Sequence, residues 1–599
     1  MSVSRRAVTS FGLFLSFALT ATAQGPAEKT ERHAYTTEQW REDLQFLARE
    51  LPKRHRNAFH KISPATFDSG VAALDARIPS LTDHEIVVGL ASIVALVGDG
   101  HTRLALPQDP DAGFDRAHTV TDPPKDSSLF MHHLPVKVAL FDDGLFVRAA
   151  TAEYRDLIGA RVVRVGSLRA DSAIEALRPV VNYDNEPGFD FIAPTLLPVP
   201  EVLHATRVSD TPNEVTLVVE KNGQTKNVTL KPLALFGKPR FIEAREQLAN
   251  VPLWEKDTEK YYWLTNIPAS RALYVQVNRI GSAREENIND FARRIRETFR
   301  KTGAQRVVVD LRHNPGGDGN MDRPLFTAIV RDSAINSFGH LFVLIGRETF
   351  SAAQMLVNDF EHSSNALFVG EPTGGSPSSY GDSRKFKLPN SGLTVRASTI
   401  YWRDMDGNEK REATNPYIPV KLTAKDYFAG NDPVMNAVTS FDPSITPEKL
   451  VATVQEKAGW PEAMHICWAY AADPLVERPL RTRGMAACGT LLQQKGEAKV
   501  AVDWFRAMIN YLPDEPAAYA GLAAALAATG QADDAAEART KARDLSRQRK
   551  SSAGSSRSSG SPLSDPPCAL QRGLSGFSQL PRPATRHPCS SPSGLSDRR

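Results

Sequence analysis

Ser351 lies in the run LFVLIGRETFSAAQMLVNDF, residues 341–360. Residues 341–345 are apolar throughout, the pattern of a buried strand, and Gly346 ends it. A short polar turn, Arg347–Glu348–Thr349, follows. Ser351 then opens an amphipathic segment with Met355, Leu356 and Phe360 at helical spacing. A hydroxyl placed there sits at the positive end of a helix, beside backbone N–H groups without an intrahelical partner. Those groups can hold a developing oxyanion. The hydroxyl can act as a nucleophile once a base takes its proton. The competing reading is an ordinary N-cap serine.

Three further segments supply context. Residues 306–317 read RVVVDLRHNPGG, an apolar strand ending in the pair Gly316–Gly317. Residues 96–104 read LVGDGHTRL, in which an apolar helix gives way to a Gly–Asp–Gly turn that presents His101. Residues 369–375 read VGEPTGG. In this order and spacing the chain resembles the tail-specific (C-terminal processing) and tricorn-core family of serine peptidases. The resemblance runs from about His101 to Val438 and more loosely from Tyr35.

The resemblance implies a division of labour among residues. One branch of the family activates its serine with a lysine after the VG pair, but Ser376 stands at that place here. The other branch uses histidine and an acid, and its GDGHT signature falls on residues 98–102. His101 is therefore the expected base. The helix before it is apolar on nearly every face (Ile86, Val87, Leu90, Ile93, Val94), which fixes where the turn points. His313, in the glycine-pair loop, is the rival base. His362 lies too far down the helix, at about 1.5 Å rise per residue. The acid of this branch falls some sixty residues after the serine by the resemblance, in YWRDMDGNEKREATNPYIPV, residues 401–420; Glu412 fits best and Glu409 is the alternative. The oxyanion would lie on the N–H of Ala352 and one from Gly316 or Gly317, where glycine permits close backbone approach.

Length and composition bound the rest. A chain of 599 residues, 41% hydrophobic and 24% charged, is expected to hold two to four globular domains. A net charge of +3 gives no case for nucleic acid. Residues 1–23 read as a signal peptide, with Arg5–Arg6, an apolar core and an Ala-Thr-Ala cleavage site, so a secreted or periplasmic protein without a mature membrane span is expected. No cysteine precedes Cys467, which leaves Cys467 and Cys488 able to pair. No close metal-ligand spacing appears, and neither metal nor cofactor is expected.

The expected fold is mixed α/β. Residues 35–107 read as an N-terminal helical part, with capping boxes at Thr36–Gln39 and Thr82–Glu85. Residues 129–235 alternate as short strands and resemble a PDZ-like β insertion, with a hairpin at Asn222–Gly223 and an extra stretch at 182–200. Residues 258–438 are expected to form the catalytic core, a mixed-sheet, ClpP/crotonase-like unit, with strands at 272–280, 306–311, 341–345, 366–369 and 394–402 and helices at 286–301 and 351–362. Residues 447–545 read as a tetratricopeptide-like helical region, with two repeats of 34 residues over Gly489–Leu545, so a partner protein there or a dock onto the enzyme is expected. Residues 546–599 have the composition of a disordered tail. The expected function is a serine endopeptidase acting on polypeptides through Ser351, His101 and Glu412; an inert binding or scaffold protein on the same fold is the alternative.

Overall fold

The computed structural model describes residues 34–110, 123–404, 409–442, 445, 447–459, 462–464, 466–467 and 478–555. The expected signal peptide, Cys568 and Cys589 lie outside the described residues. The chain is a mixed α/β protein. Among the described residues no helix is long and apolar enough to cross a membrane.

Two hydrophobic cores organise it. The first surrounds a six-stranded sheet in the order Ile418–Pro419, Leu367–Gly370, Leu341–Ile345, Arg306–Asp310, Ala272–Val277, Tyr262–Ile267. All neighbours are parallel except the last pair. Its central strands are apolar at almost every position because helices cover both faces. Leu341 to Ile345 are all buried, and Val309 pairs with Val343. The helices Ile288–Thr302 and Ala352–Ser363 lie close to the expected bounds.

The second core joins three N-terminal helices, Thr37–Arg54, Pro64–Arg77 and Asp83–Ala95, to a separate antiparallel sheet. Both capping boxes form. That sheet contains Val136–Phe141, Gly144–Thr151, Arg161–Val165, Val215–Lys221 and Gln224–Leu230 in chain order. Its hairpin turns through Asn222 and Gly223, with φ of 54° and 74°, the left-handed pair that a two-residue turn requires. The stretch 182–200 supplies the helix Glu186–Leu196 and the start of Pro200–Ala205.

Two expectations are corrected. The strand expected over 394–402 is two strands in different sheets, Thr394–Ala397 and Ile400–Trp402. The break falls at Ser398, whose hydroxyl and amide bond Asp99 and Thr102 rather than a ladder. The chain also stays ordered past 546, since the last helix runs Ala532–Ser555. Arg549 there makes a forked ion pair with the buried Glu515, at 2.7 and 3.1 Å.

The C-terminal helices share the first core. Val434 and Val438 of the sheet region belong to one apolar cluster with Leu450, Val454, Leu492 and Phe505. Cys467 and Cys488 form a disulfide within it, with Cα atoms 5.7 Å apart.

Candidate active site

Ser351 follows the strand Leu341–Ile345 and precedes the helix Ala352–Ser363. Its φ and ψ are 54° and −124°, a conformation that only glycine adopts freely. Hydrogen bonds tie the turn that enforces it. The Thr349 hydroxyl donates to Leu311 O at 2.8 Å and accepts from Gly346 N–H, and Phe350 N–H donates to Asn314 O. The Ser351 side chain makes no capping bond to the helix. The ordinary N-cap role is thus unfilled, and the hydroxyl points elsewhere.

It points to His101. Nε2 of His101 lies 2.9 Å from Ser351 Oγ, and Phe350 stacks on the imidazole at 4.5 Å between centroids. The two residues lie 250 positions apart in sequence and belong to different cores. Burial pushes the His101 imidazole down to about 4, with Arg103 acting the same way and Asp99, Asp382 and the Tyr380 carbonyl opposing. The ring is therefore neutral at pH 7 and able to accept a proton.

A network absent from the sequence-based expectation positions that ring. Asp99 Oδ1 accepts from the His101 and Thr102 amides at 3.0 and 2.8 Å and from the Ser398 hydroxyl at 2.9 Å. Its Oδ2 lies 2.9 Å from Nε2 of the buried His55. His55 Nδ1 accepts from Asn57 N–H, so Nε2 carries the proton and donates it to Asp99. Burial raises the Asp99 carboxyl, but His55 and the two hydroxyls outweigh it and hold the group below its ordinary value. The Gly100 amide donates to Asp184 at 2.7 Å. Burial, with the Asp99 charge nearby, pushes Asp184 up to about 6 despite that bond. Asp99 was visible within GDGH. Asp184 carried no sequence signal, because its partner is a backbone amide.

The glycine pair adjoins the serine. A methyl group on Gly316 would lie 2.6 Å from Ser351 Cβ, and one on Gly317 would lie 1.9 Å from Ile280 O. Their φ values are 110° and 145°. The Gly316 amide is already donated to Asn314 Oδ1 at 2.9 Å. Gly317 sits in a parallel bridge opposite Ile280, which bonds Gly316 and Asp318 and leaves the Gly317 amide facing away. Of the expected pair, the Gly316 amide is thus already used, and Ile280 does not take the Gly317 amide.

The remaining expected residues lie elsewhere. Glu412 does not meet His101. Its backbone carbonyl accepts from Asn185 and Ser376, at 2.6 Å each, and this fixes the residue beside the 376 loop. His101 Nδ1 is buried without a well-formed hydrogen bond. Glu409 is bound to Arg411, which also forks onto Glu361 at 2.8 Å. His313 pairs with Glu348 at 2.9 Å and stacks on Trp254, and neither contact involves Ser351. His362 pairs with Asp404 at 2.7 Å.

Residues 331–420, the stretch holding the strand–turn–serine unit, match Peptidase family S41. Over that stretch the chain is similar to the family, and the match supports a serine-type peptidase. No curated protein matches the sequence. Among solved structures, mature CPAF complexed with lactacystin aligns at 12% identity over 70% of this chain and 99% of that one, with a TM-score of 0.46. A photosystem II D1 C-terminal processing protease aligns at 14% identity over 66% of this chain and 98% of its own, with a TM-score of 0.32.

Proposed function

We propose that the protein is a secreted or periplasmic endopeptidase that cleaves polypeptides through an acyl-enzyme on Ser351. The observation that carries this reading is the 2.9 Å contact between Ser351 Oγ and a neutral His101 Nε2, on a serine held at positive φ. Ser351 Oγ attacks the scissile carbonyl carbon while Nε2 takes its proton. The carbonyl oxygen becomes an oxyanion against the Ala352 and Gly317 amides. Collapse breaks the C–N bond, and Nε2 returns the proton to the leaving amine. Water, deprotonated by Nε2, then attacks the ester and frees Ser351. The carboxylate of Glu412 takes no part in this scheme. The buried Cys467–Cys488 disulfide fits an oxidising compartment and supports export. Residues 129–235, with their antiparallel sheet, are read as PDZ-like, and the helical region 447–545 as tetratricopeptide-like, docking a partner or packing on the enzyme.

The test is labelling and turnover. Wild-type protein should react with a fluorophosphonate and cleave an unfolded protein. Ser351→Ala should lose both, by several powers of ten, with an unchanged melt. Glu412→Gln should keep kcat/KM within a few-fold of wild type. A Glu412→Gln protein as inactive as Ser351→Ala would restore the carboxylate to the mechanism.

A further inference from the structure

Among the described residues only five large apolar side chains are exposed: Val163, Phe236, Ile400, Tyr401 and Trp402. Three of these are consecutive, at 41, 41 and 40% exposure. Alternation along a strand ordinarily hides every second residue. Here it hides none, because Ile400–Trp402 pairs only with Ser379–Gly381 in a two-stranded ribbon and no third strand joins it among the described residues. Ile400 and Trp402 project from one face of the ribbon and Tyr401 from the other, and an exposed apolar face such as that of Ile400 and Trp402 marks a place where something binds.

The ribbon stands against the catalytic pair. A methyl group on Gly381 would lie 3.2 Å from Trp402 Cδ1 and 4.0 Å from His101 Cε1, so the indole and the imidazole flank the same glycine. The surface is also braced. Trp402 Nε1 donates to Asp382 Oδ2 at 2.7 Å, and Thr399 Oγ1 donates to Asp382 O at 2.7 Å. Tyr401 packs on Tyr380 at 4.7 Å, and Tyr380 on His60 at 4.4 Å. Rigid aromatic groups lose little conformational freedom when something docks on them.

We infer that the Ile400–Trp402 ribbon is a specificity element that seats an aromatic or long aliphatic side chain of the substrate, close to the scissile bond. The inference rests on the peptidase reading above. The occupant is an extended polypeptide because the ribbon reaches His101 across Gly381 and is formed by a strand whose backbone can pair with an added one. Trp402 and Ile400, which share the face beside Gly381, supply the apolar contact, and Asp382 holds the indole in place.

The experiment uses the full-length protein and a peptide series with Phe, Leu or Ser placed in turn at each position flanking the cleaved bond. Wild type should favour Phe or Leu over Ser by about tenfold or more at one position, the size of effect an apolar subsite produces. Ile400→Ser with Trp402→Ser should erase that preference, chiefly through KM, while the protein still labels with a small fluorophosphonate. Trp402→Phe, which keeps the apolar face and loses the bond to Asp382, should retain most of it. An unchanged preference in the double serine variant, or indifference of wild type to the series, overturns the inference. Should wild type neither label nor cleave, the peptidase reading fails first. Tryptophan fluorescence binding of the same peptides to Ser351→Ala then decides the ribbon separately: tighter binding of Phe and Leu peptides supports it and equal binding overturns it.

Discussion

Ser351 and His101 are anchored by opposite means. The serine belongs to the sheet core, and local backbone holds it: a buried strand, a bonded turn and a glycine loop packed against its Cβ. The histidine belongs to the helical core, and side chains hold it: Asp99, His55 and Ser398, drawn from three separate segments. A site assembled across two cores is only as well placed as the seam between them. The nucleophile's geometry follows from its own neighbourhood, whereas the base depends on buried polar groups that must all be satisfied together.

The sharpest way to break the sheet side is Gly316→Ala. The new methyl would overlap Ser351 Cβ at 2.6 Å and sit within 3.0 Å of Ala352 N and Phe350 O, at a φ of 110°. Serine and oxyanion donor would move together. We expect kcat/KM to fall by about 10²–10³-fold or more, the cost of displacing an oxyanion donor. Fluorophosphonate labelling should slow in parallel. A Gly316→Ala enzyme with wild-type rates would show that the glycine loop does not set the serine.

The corresponding break on the helical side is Asp99→Asn. Three donors can still reach the amide oxygen. The amide nitrogen must then face the Nε2–H of His55, whose other nitrogen already accepts from Asn57. Donor meets donor in a buried site, at a cost of about 1–3 kcal/mol. A shift of His101 by a fraction of an ångström should lower kcat/KM about 10–100-fold. Tm and turnover should fall together. A lowered Tm with unaltered turnover would separate Asp99 from the site.

This contrast also explains what was readable in the sequence. The strand–turn–helix around Ser351 is a local pattern, and apolar periodicity placed it correctly. The GDGH motif pointed to His101. The N-terminal capping boxes and the Asn222–Gly223 hairpin are likewise written in adjacent residues. Where the Glu412 side chain points is not legible, because a carboxylate in a polar loop has no local signature of its direction. Asp184 and Ser398 were missed because their partners lie 84 and 299 residues away. Hydrogen bonds of that span leave no periodicity to read. The split of 394–402 into two strands has the same origin, since its cause is Asp99 and Thr102 on another core.

The pH dependence sharpens the difference between the two anchors. An unburied imidazole would cut activity near an ordinary value of about 6.5. Burial brings His101 down to about 4, so the acidic limb of kcat/KM should fall between these values, nearer the lower. The linkage has a definite sign. The unfolded chain takes up a proton near 6.5 while the folded one resists until about 4. Stability from this group is therefore full above 6.5 and declines as pH falls toward 4. Melting and rate profiles measured together over that window should both decline. A rate limb fixed at 6.5 would mean that His101 is solvated in the working enzyme.

Arg347 offers the smallest test and the one most specific to the seam. It lies in the turn that ends at Ser351. Its Nη1 donates to Leu140 O at 3.1 Å on the strand Val136–Phe141, and its Nη2 pairs with Glu371 at 2.7 Å. One guanidinium thus ties the antiparallel sheet of the helical core to the nucleophile turn of the sheet core. Burial raises the Glu371 carboxyl, and Arg347 is the leading opposing influence. Arg347→Ala would remove both ties and leave Glu371 poorly compensated, at about 1–3 kcal/mol. Turnover should drop only a few-fold, because the hydrogen bonds that shape the turn come from Thr349 and Asn314. The discriminating measurement is the double variant with Glu371→Gln. If the loss is the stranded carboxylate, neutralising it should restore most of the Tm. Turnover should stay depressed, because the tie to Leu140 is still gone. Recovery of both together would reduce Arg347 to a partner for Glu371, and the seam at the site would then rest on His101 with its network and on Asn185, whose amide donates to the Thr373 and Glu412 carbonyls.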